Sequence, residues 1–272
     1  MIVSNLLQMS AIEALILGLV QGLTEFLPVS SSGHLVIAKE IFGIETGGGL
    51  AFEIVVHAAT VLSVIVVFWK QIIELVQGLF KIQYNEQTRY VAMICVSMIP
   101  VFFVGVFFKD QVEALFGNGL LTVGIALIVT ALLLFLSEKI KPASRQLSYG
   151  RALIMGCAQA IAVIPGLSRS GSTISAGLMS GVSKSEVTQF SFLMVLVPVL
   201  GEAFLSLVGG ELAAENSGIG ALALICGFVA AFASGLFACK VMISLVKKTR
   251  LKWFALYCAV AGILCMVYHL AF

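Results

Sequence analysis

Charge is scarce in this sequence of 272 residues: Asp, Glu, Lys and Arg together make up 11% of it, against about a quarter of an ordinary soluble domain. With 60% hydrophobic residues and a mean hydropathy of +1.09, a soluble globule of usual composition is excluded and a polytopic membrane protein is expected. Basic residues are missing from the start. The first is Lys39, so no positive segment precedes the first apolar stretch, no A-x-A-like site follows it, and no removable signal is expected. Paired cysteines are missing too: Cys95, Cys157, Cys226, Cys239, Cys258 and Cys265 lie in or beside apolar segments without CxxC spacing. That pattern speaks against a zinc or dithiol motif and for small residues packed in a membrane. The net charge of +2 singles out no partner, and no nucleic acid is expected among them.

Long apolar runs are what the sequence has instead. Six stretches, near 51–69, 90–108, 119–137, 187–208, 218–240 and 252–270, can cross a hydrocarbon core of about 30 Å, which takes roughly 20 helical residues. Segments 11–43 and 149–181 differ. Each holds an apolar arm of about 15 residues, a Pro/Ser/Gly interruption and a second arm of about 10, and neither arm spans alone at about 1.5 Å per residue.

The two broken segments are copies of each other. Shifted by 138 positions without a gap, ALILGLVQGLTEFLPVSSSG (14–33) lies over ALIMGCAQAIAVIPGLSRSG (152–171), matching Gln21, Ser30, Ser32 and Gly33 with Gln159, Ser168, Ser170 and Gly171. The register continues through Ala38/Ala176, Gly43/Gly181 and Phe52/Phe190. Residues 1–272 therefore read as one integral membrane domain of two repeats, about 11–137 and 149–270, each a broken hairpin followed by three spanning helices.

Basic residues choose between a re-entrant hairpin and a broken crossing. If both segments are re-entrant, one side of the membrane collects Lys70, Lys81, Arg89, Lys139, Lys141, Arg145, Arg151, Lys184, Lys240, Lys247, Lys248, Arg250 and Lys252, and the other only Lys39 and Lys109. The positive-inside rule is then obeyed; two crossings would instead divide the same charges seven against eight. The expected fold is an all-α inverted-topology repeat with re-entrant hairpins whose breaks meet near the midplane. Both termini are expected on the outer face.

Irregular backbone at membrane depth survives only where protein or a watery cavity satisfies it, so both interruptions are expected to line one cavity. The first, PVSSSGH (28–34), would bring Ser30, Ser31, Ser32 and His34, with Gln21 and Glu25 four apart on one helix face. The second would bring Gln159, Ser168, Arg169, Ser170, Ser172 and Thr173. Gly33 and Gly171 would let backbone approach a ligand, and the helix starts beside them offer N–H groups to an anion. Inert readings stand alongside: Glu25 and Arg169 tying two hairpins together, or serines capping the second arms. Yet ionisable groups at this depth are functional by default. An Arg fork suits phosphate, a Ser beside a His suits nucleophilic attack, and a carboxylate suits a divalent metal. Together they indicate phosphate-ester or anhydride chemistry on a membrane-embedded substrate. A transporter or flippase of an anionic lipid uses the same architecture and is the alternative. His57, in VVHAAT, reads either as a supporting group facing the cavity or as an interhelix hydrogen bond.

QGLTEFLPVSSSGH (21–34) and PGLSRSGSTIS (165–175) resemble the two signature blocks of the bacterial undecaprenyl-pyrophosphate phosphatases of the bacitracin-resistance (BacA/UppP) type, and the resemblance covers essentially the whole chain. It implies hydrolysis of the terminal phosphate of a C55 isoprenyl diphosphate in the bacterial inner membrane. The monophosphate carrier for peptidoglycan is thereby regenerated, with a divalent ion (Mg or Ca) and a site open to the outer face. Carried over by position, it implies Glu25, Ser31, His34 and Arg169 as catalytic and Glu25 with Gln21 as metal-holding. Substrate would be bound by Ser30, Ser32, Gly33, Gln159, Ser168, Ser170, Gly171 and Thr173. Gln21 stands where many members have Glu, so Glu25 would be the principal carboxylate. The motif leaves the nucleophile open between Ser31, assisted by His34, and His34 itself. The partners implied are the polyprenyl diphosphate and the bilayer, with a homodimer left open. The type 2 phosphatidic-acid phosphatases fit less well: after Arg169 no His follows until His269, and their Lys-x6-Arg-Pro block is missing.

Overall fold

A computed structural model of the chain describes residues 9–44, 51–116, 119–140, 145–209, 219–248 and 250–271. Among them the regular structure is helical, apart from one isolated bridge between Arg145 and Val182. The helices are α1 (Ala11–Glu25), α2 (Ser31–Phe42), α3 (Ala51–Val67), α4 (Trp69–Phe80), α5 (Glu86–Phe107), α6 (Lys109–Phe116) and α7 (Gly119–Lys139). The second half holds α8 (Tyr149–Ile161), α9 (Arg169–Met179), α10 (Lys184–Met194), α11 (Leu196–Val208), α12 (Ala221–Lys248) and α13 (Lys252–Ala271).

Five segments are long and apolar enough to cross a bilayer: α5, α7, α10 with α11 (Lys184–Val208), α12 and α13. A sixth is available if α3 and α4, bent 77° apart, count as one. Five of the six expected runs are matched, the remaining one, near 51–69, falls on α3, and the chain is a multi-pass membrane protein. Side chains such as Phe102, Phe103, Leu222, Ile225 and Val260 stand exposed on these helices, as a lipid solvent allows. The hydropathy reading places no element between 69 and 90. Helix α4 is there because Trp69, Ile72, Ile73, Val76, Leu79 and Phe80 fall on one face and Lys70, Glu74 and Gln77 on the other, at about 100° per residue.

Helices α1 and α2, and α8 and α9, are the short arms expected on either side of the interruptions, with 15, 12, 13 and 11 residues. The caps that bound them recur at the 138-residue interval. Ser30 and Ser168 each accept, through Oγ, the N–H three residues on, from Gly33 at 3.2 Å and Gly171 at 3.0 Å. Gly43 and Gly181 take positive φ (61° and 86°) and end the second arms. The next N–H closes each turn, Ile44 onto Lys39 O at 2.9 Å and Val182 onto Gly177 O at 3.1 Å.

Packing repeats as well. Helix α1 lies along α12, and α8 along α5, so the first arm of each pair packs on a long helix of the other half. Both contacts depend on glycine, because small residues let helix backbones approach. A Cβ on Gly22 would lie 2.5 Å from Ala231 O, and one on Gly156 would lie 2.8 Å from Ser97 Cα. Gly22→Leu is therefore expected to destabilise the protein by about 3 kcal/mol or more, since neither backbone can yield without moving a helix. A thermal-unfolding midpoint in detergent equal to the wild type would contradict this packing.

Candidate active site

The two interruptions meet. Arg169 of the second is ion-paired with Glu25 of the first. Ser32 Oγ accepts from the Gly166 N–H at 3.4 Å, and its counterpart Ser170 donates to Leu27 O at 3.0 Å, so each break is bonded to the backbone of the other. Beside this junction lies a cavity of about 480 Å³. One polar wall is Glu25, Ser30, Ser31 and Ser32; another is Gln159, Ser168, Arg169 and Ser170; and His57, Lys39, Glu53 and Glu202 complete the polar lining. Val101, Val104, Val112, Pro198 and Val199 make it apolar elsewhere.

Helix geometry explains why these side chains converge. Pro28 has no N–H to continue α1, so the chain breaks after Glu25 and restarts at the Ser30 cap. Ser31 and Arg169 hold the same place, the first residue after the cap of α2 and of α9. Both helix starts therefore present their positive dipole ends to one cavity, the arrangement that favours an anion.

Glu25 is the centre of the polar network. The residue is 7% exposed, and its Oε2 accepts from Ser31 Oγ at 2.5 Å and from Gln21 Nε2 at 2.7 Å. Oε1 faces Arg169, and His57 Nε2 lies 3.6 Å from Oε2. Gln21 is fully buried with no partner for its Oε1. Gln159, its repeat counterpart, also has an unpartnered Oε1 and points into the cavity wall.

The structure thus gathers Glu25, Ser30, Ser31, Ser32, Gln159, Ser168, Arg169 and Ser170 around one space, with Gln21 directly behind Glu25. Other expected site residues sit elsewhere. His34 does not line the cavity: its Nδ1 is 2.7 Å from Ser30 O, and its Nε2 is 2.6 Å from the hydroxyl of Tyr257, on which the ring stacks. Thr173 donates to Arg169 O at 2.9 Å and bonds Ser191 Oγ at 2.7 Å, which turns it toward α10. Gly33 and Gly171 pack against their own capping serines. Sequence reasoning passed over Lys39, Glu53 and Glu202. Lys39 and Glu53 form an ion pair at the cavity, and the available signal was an ionisable residue at the start of an apolar run.

The donor set bears on the expected metal. Among the described residues no three His, Cys, Asp or Glu side chains form a cage. A hard divalent cation needs less, because Mg²⁺ usually takes one or two protein oxygens and completes its shell with phosphate and water. Glu25 and the unpartnered Gln21 Oε1 fit that demand. So does the charge of the lining, where Glu25, Glu53 and Glu202 outnumber Lys39 and Arg169.

Fold and site together define a helical membrane protein whose two broken helix pairs present a hydroxyl, a carboxylate and a guanidinium to an anion-sized cavity. The chain belongs to the family described as bacitracin resistance protein BacA, whose model matches residues 14–264. Relatives named undecaprenyl-diphosphatase include that of Parabacteroides distasonis, 58% identical over 259 residues covering 94% of this chain and 97% of the relative. Another, from Bacteroides fragilis, is 56% identical over 259 residues with the same coverage. The one from Methanosphaera stadtmanae is 36% identical over 274 residues, 94% of this chain and 97% of the relative.

Proposed function

We propose that the chain is an undecaprenyl-diphosphatase, a membrane hydrolase that removes the terminal phosphate of C55 isoprenyl diphosphate. The product is the monophosphate lipid carrier used in peptidoglycan synthesis, and turnover of the diphosphate would give resistance to bacitracin. The observation that carries the reading is Glu25, one carboxylate bonded to Ser31 of its own break and paired with Arg169 of the other.

Ser31 Oγ attacks the terminal phosphorus while Glu25 Oε2 takes its proton. The bond from that phosphorus to the bridging oxygen breaks, and the lipid monophosphate leaves. Glu25 gives its proton up to the departing monophosphate; water then cleaves the phosphoserine, with Glu25 taking the water's proton and passing it to Ser31 Oγ, so that carboxylate and hydroxyl are both restored. Arg169, with its fork aimed at the phosphoryl oxygens, stabilises the charge that develops. A divalent ion held by Glu25 and Gln21 would neutralise diphosphate charge. Ser30, Ser32, Ser168, Ser170 and Gln159 bind the headgroup, and the valine-lined part of the cavity takes the first isoprene units.

The architecture proposed is the inverted-topology repeat with re-entrant hairpins, in the inner membrane with both termini outside. It is supported by the matching caps at the 138-residue interval and by the lysine and arginine distribution. The cavity is lined by the start of α3, the end of α5, α6 and the later half of the span formed by α10 and α11, the ends opposite the basic loops, which supports an outward opening.

The purified protein in detergent is expected to release inorganic phosphate from undecaprenyl diphosphate, to stop on addition of EDTA, and to resume with Mg²⁺ or Ca²⁺. Absence of release in detergent, where nothing can be transported, would favour the transporter reading. Release unaffected by EDTA would remove the metal alone.

A further inference from the structure

We propose that Tyr257 is a positioning residue of this site: through His34 it holds the Ser30 carbonyl, and with it the backbone that presents Ser31. The inference rests on the phosphatase reading. Tyr257 belongs to α13, which supplies none of the residues lining the cavity and packs along α7, where Gly124 and Gly262 bring the two backbones together. Two neighbouring residues of α13 nevertheless reach the first break. Tyr257 meets His34, and Cys258 donates through Sγ to the carbonyl of Pro28 at 3.6 Å.

The contacts are directional. His34 Nδ1 is 2.7 Å from Ser30 O, and a carbonyl oxygen only accepts, so Nδ1 carries the hydrogen of the neutral ring. Nε2 then has a lone pair, and the Tyr257 hydroxyl, 2.6 Å away, donates to it. Ser30 O also accepts the His34 N–H at 3.1 Å, so the carbonyl is held from two directions. A planar peptide joins that carbonyl to the Ser31 nitrogen. Fixing it sets the direction in which Ser31 leaves the turn, and so the approach of its Oγ to Glu25. The second copy is built otherwise: Ser172 stands at the place of His34, and among the described residues its Oγ has no partner. Helix α13 is one of the spanning segments, where little water competes for a hydroxyl, so removing this donor leaves Nε2 unsatisfied.

The test compares Tyr257→Phe, which removes the hydroxyl and keeps the ring beside His34, with Tyr257→Leu, which removes both. Wild-type protein assayed on undecaprenyl diphosphate in detergent serves as the control. Tyr257→Phe is expected to lose roughly 5- to 50-fold in kcat with KM within about threefold of wild type, the signature of a group acting on the chemical step. Tyr257→Leu is expected to lose at least as much. Nitrogen NMR of histidine-labelled protein gives a readout besides turnover: the Nε2 signal of one histidine, identified by its absence in His34→Ala, should shift in Tyr257→Phe. Thermal unfolding shows whether each variant is folded, and if Tyr257→Phe is not, Tyr257→Leu is read in its place. A kcat within twofold of wild type overturns the proposal, as does a loss confined to KM or an unmoved Nε2 signal. Lack of phosphate release by the wild type would instead overturn the phosphatase reading, while the Nε2 shift still reports on the tie.

Discussion

Arg169→Ala is expected to lower kcat for phosphate release by about 10³-fold or more, the scale on which preorganised cations act on phosphoryl transfer. Arg169→Lys should recover little, because an ammonium lacks the planar fork that matches phosphate oxygens. An inert tie between two helix pairs would also be sensitive to this change, since removing one partner of a buried ion pair costs about 3–5 kcal/mol. The two readings separate in the double variant. Glu25→Gln with Arg169→Ala leaves no buried charge unpaired, so its unfolding temperature should return toward the wild type while phosphate release stays absent. Single-variant activity within tenfold of wild type would remove Arg169 from the chemistry.

Ser31→Ala is expected to be at least as severe, on the order of 10³- to 10⁶-fold in kcat, as for other nucleophiles that act with a partner base. Its hydroxyl is the one bonded to Glu25, at 2.5 Å. Ser32 provides the comparison, because among the described residues its Oγ reaches only the Ser30 Oγ and the Gly166 N–H, each at 3.4 Å. Ser32→Ala should therefore stay within about tenfold of wild type, the loss of one weak hydrogen bond of about 1 kcal/mol. Substantial turnover by Ser31→Ala, measured by phosphate release and by labelling of the protein with radioactive phosphate, would move the nucleophile to His34.

Much of this was legible before any coordinates. Apolar length fixes the spanning segments because a bilayer demands it, and interrupted arms stand out because polar turns at that depth need a cavity. The 138-residue register reappears as paired caps, since a helix start written Ser-x-x-Gly makes the same Oγ-to-Gly N–H bond in both copies. What sequence spacing does not encode is which way a side chain leaves its helix. His34 follows Ser31 by three residues, close enough to share its face, yet its ring turns back onto the Ser30 carbonyl and across to Tyr257, 223 positions away. Thr173, four residues after Arg169, likewise gives its hydroxyl to the Arg169 carbonyl and to Ser191. The 77° bend after Val67 is invisible to hydropathy, because an amphipathic helix and a polar loop average alike.

The matching caps are not equally relaxed. Ser168 sits at φ −70°, ψ 113°, ordinary extended backbone, whereas Ser30 sits at φ 70°, ψ 99°, where a residue with a side chain pays on the order of 1–3 kcal/mol. A duplicated element has thus become mechanically unequal: the turn that presents the hydroxyl is loaded, and the turn that presents the guanidinium is not. The ring of His34 joins the carbonyl of that loaded residue to the Tyr257 hydroxyl, so the strained turn, unlike its relaxed copy, is tied to the last helix.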